Sequence, residues 1–139
     1  MTLGRQMVKV GLAASALVWA VTVAAMGAQA PARTVNDGVY SSGQATRGEA
    51  LFQSICTTCH DTERFTGPEF VSAWSGKPLA ELFKAVQTMP EDNPGSLSAQ
   101  QYGDVIAYFL SLNKFPAGSE ELKGEADALA KIEMQAPKP

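Results

Sequence analysis

The chain has 139 residues, room for one domain plus a processed end rather than for two full cores. Its 11 Lys and Arg against 14 Asp and Glu exclude the basic face that a nucleic-acid binder needs to neutralise phosphates. With two cysteines and one histidine in all, a structural zinc site, which takes four such ligands, is excluded too.

Residues 1–30 differ from the rest. Arg5 and Lys9 form a short basic start, and Val10 to Ala28 carries no charge. Ala28-Gln29-Ala30 follows as an Ala-x-Ala cleavage site, the pattern of a secretory signal peptide. Pro31 directly after that cut hinders a peptidase, so Ala30-Pro31-Ala32 is a competing site. The apolar run is also near the ~20 residues that span a bilayer, which leaves an uncleaved membrane anchor as the alternative. Its Ala and Gly content favours cleavage, and with it a periplasmic location. Losing Arg5 and Lys9 leaves 9 basic against 14 acidic side chains, a balance of −5. Export also places both cysteines in an oxidising compartment, where a free dithiol does not normally persist.

Residues 31–43 hold Pro, Ser, Gly and Asn and read as a flexible lead-in to a domain over 44–117. Thr46-Arg47-Gly48-Glu49 has the form of a capping box, and Leu51, Phe52 and Ile55 continue one helical face that reaches Cys56 and Cys59. A short helix is expected around Glu69 to Trp74, between Gly67-Pro68 and Gly76. Leu79, Leu82, Phe83 and Val86 are spaced as an amphipathic helix that stops before Met89-Pro90. After a turn-rich loop, Ser98 to Gln101 forms a second capping box ahead of Tyr102, Val105, Ile106 and Phe109. Pro116 and Gly118 close that helix. Residues 118–139 form a C-terminal tail with a weak helical pattern over Glu120 to Ile132, free to wrap the core or to remain disordered. No run of four alternating residues suggests a strand, so the domain reads as all-α.

Cys56-Thr57-Thr58-Cys59-His60 has the spacing of c-type haem attachment. Two thiols one helical turn apart can each add to a vinyl group on one porphyrin edge, and the adjacent imidazole then reaches the iron. A thioredoxin-type pair would follow a strand in an α/β pattern, which is lacking, and a disulfide across two helical residues would be strained. One covalent haem c, held through Cys56 and Cys59, would also supply much of the core of a domain of about 90 residues.

His60 is the only imidazole, so a bis-histidine iron within this chain is impossible. If the iron is six-coordinate, methionine is the remaining partner, and Met/His ligation is the arrangement known for cytochromes c. Met1, Met7 and Met26 lie in the export segment, leaving Met89 and Met134. Met89 follows an amphipathic helix and precedes a proline loop, where the backbone is free to present a thioether. Met134 sits in a polar tail and reads as the weaker candidate. The expected metal ligands are therefore His60 and Met89, with no catalytic residues. If Met89 does not ligate, the open iron would suit a haem enzyme or sensor instead.

These residues resemble the class I c-type cytochromes over roughly Gln44 to Pro116. The resemblance implies a cytochrome c fold, three to four main helices around one haem. It also implies a crossing of Gly48 and Phe52 on the first helix with Tyr108 on the last, and a proline carbonyl at Pro68 that orients His60. Trp74 is similar in position to a tryptophan near the haem propionates. The run from Thr88 to Ser98, with Tyr102 and Asp104 to Tyr108, is similar to small periplasmic cytochromes associated with quinoprotein alcohol dehydrogenases. That likeness implies redox protein partners: a dehydrogenase-type donor and a terminal oxidase or another cytochrome as acceptor. Arg64, Lys77 and Lys84 are the candidate docking cations near the haem edge, and a membrane-tethered subunit of an oxidoreductase complex is the alternative role.

Overall fold

The structure is a computed structural model and describes residues 33–139. The expected signal peptide over residues 1–30, its cleavage sites and the alternative anchor lie outside the described residues. Among the described residues no helix is long and apolar enough to cross a membrane.

Helix α1 (Ser42–Leu51) is capped by Ser41, whose hydroxyl accepts from the Gln44 amide at 3.1 Å. The capping box expected at Thr46 does not form. The helix starts five residues earlier, capped by Ser41, and the Thr46 hydroxyl donates to the Ser42 carbonyl at 3.1 Å. A threonine one turn inside a helix satisfies its side chain in this way without capping anything.

The helix most deeply placed is α4 (Ala99–Leu112), with every residue from Tyr102 to Leu110 buried. The Ser98–Gln101 capping box forms as expected: Gln101 N–H donates to Ser98 Oγ at 3.2 Å, and Ser98 N–H to Gln101 Oε1 at 2.8 Å. Helix α1 crosses α4 at Gly48, where a Cβ would run into the Asp104 carbonyl and reach Tyr108 Cβ at 3.0 Å. The expected Gly48, Phe52 and Tyr108 crossing is therefore present, with the Phe52 and Tyr108 ring centroids 5.5 Å apart.

Beside this crossing Arg47 forks onto Asp104, with both N···O distances 3.1 Å, and reaches on to Glu121 at 2.8 Å. Asp104 is only 4 % exposed. Its charge is tolerated because the guanidinium and Gln100 Nε2, at 2.9 Å, occupy its oxygens. Hydrogen bonding to Glu121 and then to Asp104 holds Arg47 above its ordinary pKa.

Helices α2 (Gly67–Trp74) and α3 (Leu79–Gln87) form where the pattern places them. Leu79, Ala80, Leu82 and Phe83 of α3 face the core, and the helix ends before Met89-Pro90.

The lead-in over residues 31–43, expected to be flexible, packs against the core in its described part, 33–43. Val35, Val39 and Tyr40 are buried, and the Tyr40 hydroxyl donates to the Phe115 carbonyl at 2.7 Å. The Thr34 side chain accepts from Asn36, while Asp37 accepts from the Thr34 amide at 2.7 Å and closes the Val35–Asp37 turn. Gly38 and Gly118 pass so closely that a side chain at Gly118 would strike the Gly38 carbonyl.

The C-terminal tail wraps the core. Gln44, fully buried on α1, grips the Leu122 backbone from both sides, donating to its carbonyl at 2.8 Å and accepting from its amide at 2.7 Å. Only Ala126–Leu129 of the weak helical stretch becomes helix (α5). Beyond it, β2 (Ile132–Glu133) pairs in parallel with β1 (Arg33–Thr34), Arg33 opposite Ile132. The all-α reading thus stands, with this two-residue ladder added by the tail.

Candidate functional site: the Cys56–His60 turn

α1 does not end cleanly. Residues Phe52–Cys56 widen into one π-helical turn, in which Thr57 N–H donates to the Phe52 carbonyl at 3.2 Å. Hydroxyls bond the neighbouring carbonyls: Ser54 donates to that of Leu51 at 3.0 Å and Thr57 to that of Gln53 at 2.7 Å. The chain then tightens, with the Cys59 and His60 amides both donating to the Cys56 carbonyl, at 3.1 and 2.9 Å. This π-then-tight sequence brings Cys56, Cys59 and His60 together at the end of the first helix, as their spacing predicts.

The motif sits at the edge of the core. Phe52 is fully buried, Cys56 and His60 are half-buried, and Cys59 is exposed. Both thiols are free. Burial pushes the Cys56 thiol above its ordinary pKa and so keeps it protonated, unlike the thiolates of redox Cys-x-x-Cys pairs.

The loop after the motif is held from α4. Phe65, in the Thr62–Phe65 turn, meets the His60 imidazole edge-on at 5.6 Å and stacks on Phe109 at 4.4 Å. Asn113, just past α4, donates to the Phe65 carbonyl at 2.8 Å and accepts from the Gly67 amide at 2.9 Å. Gly67 has a φ of +84°, a backbone that favours glycine. Pro68 follows it in the first turn of α2. The ring plane of His60 is thus packed through Phe65, a contact that sequence spacing did not single out. Its only signal was an aromatic five residues beyond the histidine.

Met89 lies half-buried after α3, and its carbonyl accepts from the Tyr102 hydroxyl at 2.9 Å. Met134 is fully buried. Far from loose in a polar tail, it is anchored by backbone bonds to Gly76 at 2.8 Å and Lys77 at 2.9 Å. Trp74 is half-buried, with Lys77 Nζ over its ring at 5.2 Å. Of the candidate docking cations, Lys77 also donates to the Ala73 carbonyl at 2.8 Å, and Lys84 pairs with Glu81 at 3.0 Å. Arg64 is exposed.

The residues present fit a haem. Two free thiols and an imidazole share one turn, a thioether lies beyond α3, and half-buried Phe65, Val86 and Leu97 offer apolar surface that a porphyrin would cover. Among the described residues no group of three or more His, Cys, Asp or Glu could hold a bare metal ion.

Residues 43–109, just under half of the chain, match the family described as cytochrome c oxidase, cbb3-type, subunit III. Searches of curated proteins and of solved structures gave no match. The matched span runs from α1 through the motif, α2, α3 and the Met89 loop into α4. The helical architecture and this match together support a class I c-type cytochrome domain with the cytochrome c fold, a haem-based electron-transfer module rather than a catalytic enzyme.

Proposed function

We propose that the protein is a periplasmic one-electron carrier holding a single haem c. The observation that carries this reading is the placement of Cys56, Cys59 and His60 on one turn against the aromatic core, within a cytochrome c domain. A bound haem supplies a one-electron iron couple. Cys56 and Cys59 would hold it covalently, and His60 and Met89 would supply its iron ligands. Phe65 and Asn113 hold the loop beside His60, and by the class I resemblance the Pro68 carbonyl would accept from its imidazole. An imidazole and a thioether as its two protein ligands would favour the reduced iron relative to two imidazoles and would leave no iron site for substrate.

The exposed Cys59 edge is the docking face, since electron-transfer encounters are small and transient. The run Thr88 to Ser98 supports a quinoprotein dehydrogenase-type donor, with a terminal oxidase or another cytochrome as acceptor. The test is carbon monoxide binding to the reduced protein. A carrier closed by Met89 resists it, and Met89→Ala admits it. Ready binding by the unaltered protein would point to an open-iron enzyme or sensor.

A further inference from the structure

Resting on the assignment of Met89 as a ligand, we propose that Tyr102 is the positioning residue for it: the phenol on α4 holds the Met89 carbonyl and so sets where the thioether stands.

Among the described residues, the other hydrogen bonds of the loop that carries Met89 run within the loop or to the helix before it. Met89 N–H donates to Val86 at 3.0 Å, Asn93 to Pro90 at 3.0 Å, Gly95 to Gln87 at 3.1 Å and Ser96 to Asn93 at 3.3 Å. The Thr88 hydroxyl turns back to Ala85 at 2.7 Å. Among the described residues, the bond from Tyr102 Oη to the Met89 carbonyl, 2.9 Å long, is the one hydrogen bond from this loop to α4. Residues 91–96 are exposed, so packing adds little to hold them.

Tyr102 is suited to the task because it does not move. It is 1 % exposed and belongs to the most buried helix. Phe83 of α3 meets its ring edge-on, centroids 6.3 Å apart. The hydroxyl therefore links a rigid helix to the backbone of the proposed ligand itself. Fixing the carbonyl fixes the adjoining Cα, and only the side-chain torsions of a flexible methionine remain to be set. Without the bond, the loop populates positions in which the thioether is withdrawn, and a competing ligand finds the iron open for a larger fraction of the time.

Tyr102→Phe keeps the ring and deletes the hydroxyl. Tyr40→Phe is the matched control, because it also deletes a hydroxyl bonded to a buried carbonyl, that of Phe115 at 2.7 Å, at the opposite end of α4. The ferric holoproteins are titrated with imidazole while the far-red absorption band of methionine-ligated ferric haem is followed. Losing one hydrogen bond predicts roughly fivefold tighter apparent imidazole binding by Tyr102→Phe and no change for Tyr40→Phe. Equal behaviour of the two variants overturns the role of Tyr102 while leaving Met89 in place. A missing band in the unaltered protein removes Met89 as a ligand, and the role of Tyr102 with it. Should Tyr102→Phe give no holoprotein, NMR of the unaltered protein decides. A protected Tyr102 hydroxyl proton near the Met89 backbone in both oxidation states supports the proposal, and one exchanging freely with solvent overturns it.

Discussion

Phe65 lies nearly flat on Phe109, with ring centroids 4.4 Å apart and planes 7° from parallel. This stack joins the loop behind His60 to the central helix, and Asn113 completes the joint through the backbone on either side of Thr66.

Asn113→Ala removes three hydrogen bonds at once, since the carboxamide also donates to the Phe109 carbonyl at 2.8 Å. At about 1 kcal/mol each, denaturant unfolding of the holoprotein should show a loss of about 2–3 kcal/mol. The His60 side should also admit more water, which favours the oxidised iron, so the reduction potential should fall. Unchanged stability would contradict the joint.

Gln44→Ala should free the tail. Its two bonds to Leu122 are short and fully buried, and their loss is worth about 2 kcal/mol. Limited trypsin digestion is the direct readout. Cleavage after Lys123, next to the released Leu122, should become fast in the variant and stay slow in the parent.

Gly48→Ala probes the helix crossing. A methyl group there meets the Asp104 carbonyl, which belongs to backbone and cannot swing aside. Overpacking of this kind costs about 1–3 kcal/mol or more, so the thermal midpoint should drop markedly. A neutral effect would mean that the helices cross farther apart.

Stability should also fall at alkaline pH. Burial raises Tyr40 above its ordinary pKa of 10.0, and burial followed by the nearby Glu49 charge raises Tyr108, against a smaller opposing effect of the Thr62 hydrogen bond. A raised folded-state pKa means that the folded protein holds the proton more tightly. The contribution is therefore complete below the ordinary value and is lost as pH climbs through it toward the folded one. Denaturation midpoints should decline above about pH 10, and Tyr40→Phe should flatten that decline.

The motif and the central helices were legible because their signals are local. Cys56 to His60 carries its chemistry in its spacing, and Ser98 to Gln101 carries a cap whose two halves lie three residues apart. The start of α1 was misplaced because Thr46-x-x-Glu49 and Ser41 both offer caps, and only packing of Gln44 and Ala45 selects the earlier one. The order in residues 33–43 and in the tail was hidden for a different reason. Val35, Val39, Leu122, Leu129 and Met134 are scattered apolar residues without helical or strand period, and they are ordered by each other and by Gln44 across 78 residues of chain. The seating of His60 and Met89 against Phe65, Asn113 and Tyr102 likewise depends on contacts between distant segments.

The proposed function rests on a single haem covalently held by Cys56 and Cys59. Mass spectrometry of the denatured protein, after expression with export and c-type maturation, tests it most directly. The expected mass is that of the protein chain plus one haem, not extractable by acidified solvent and absent from a Cys56→Ser, Cys59→Ser double variant. The bare mass of the unaltered chain under the same conditions, or a haem that extracts freely, would contradict it.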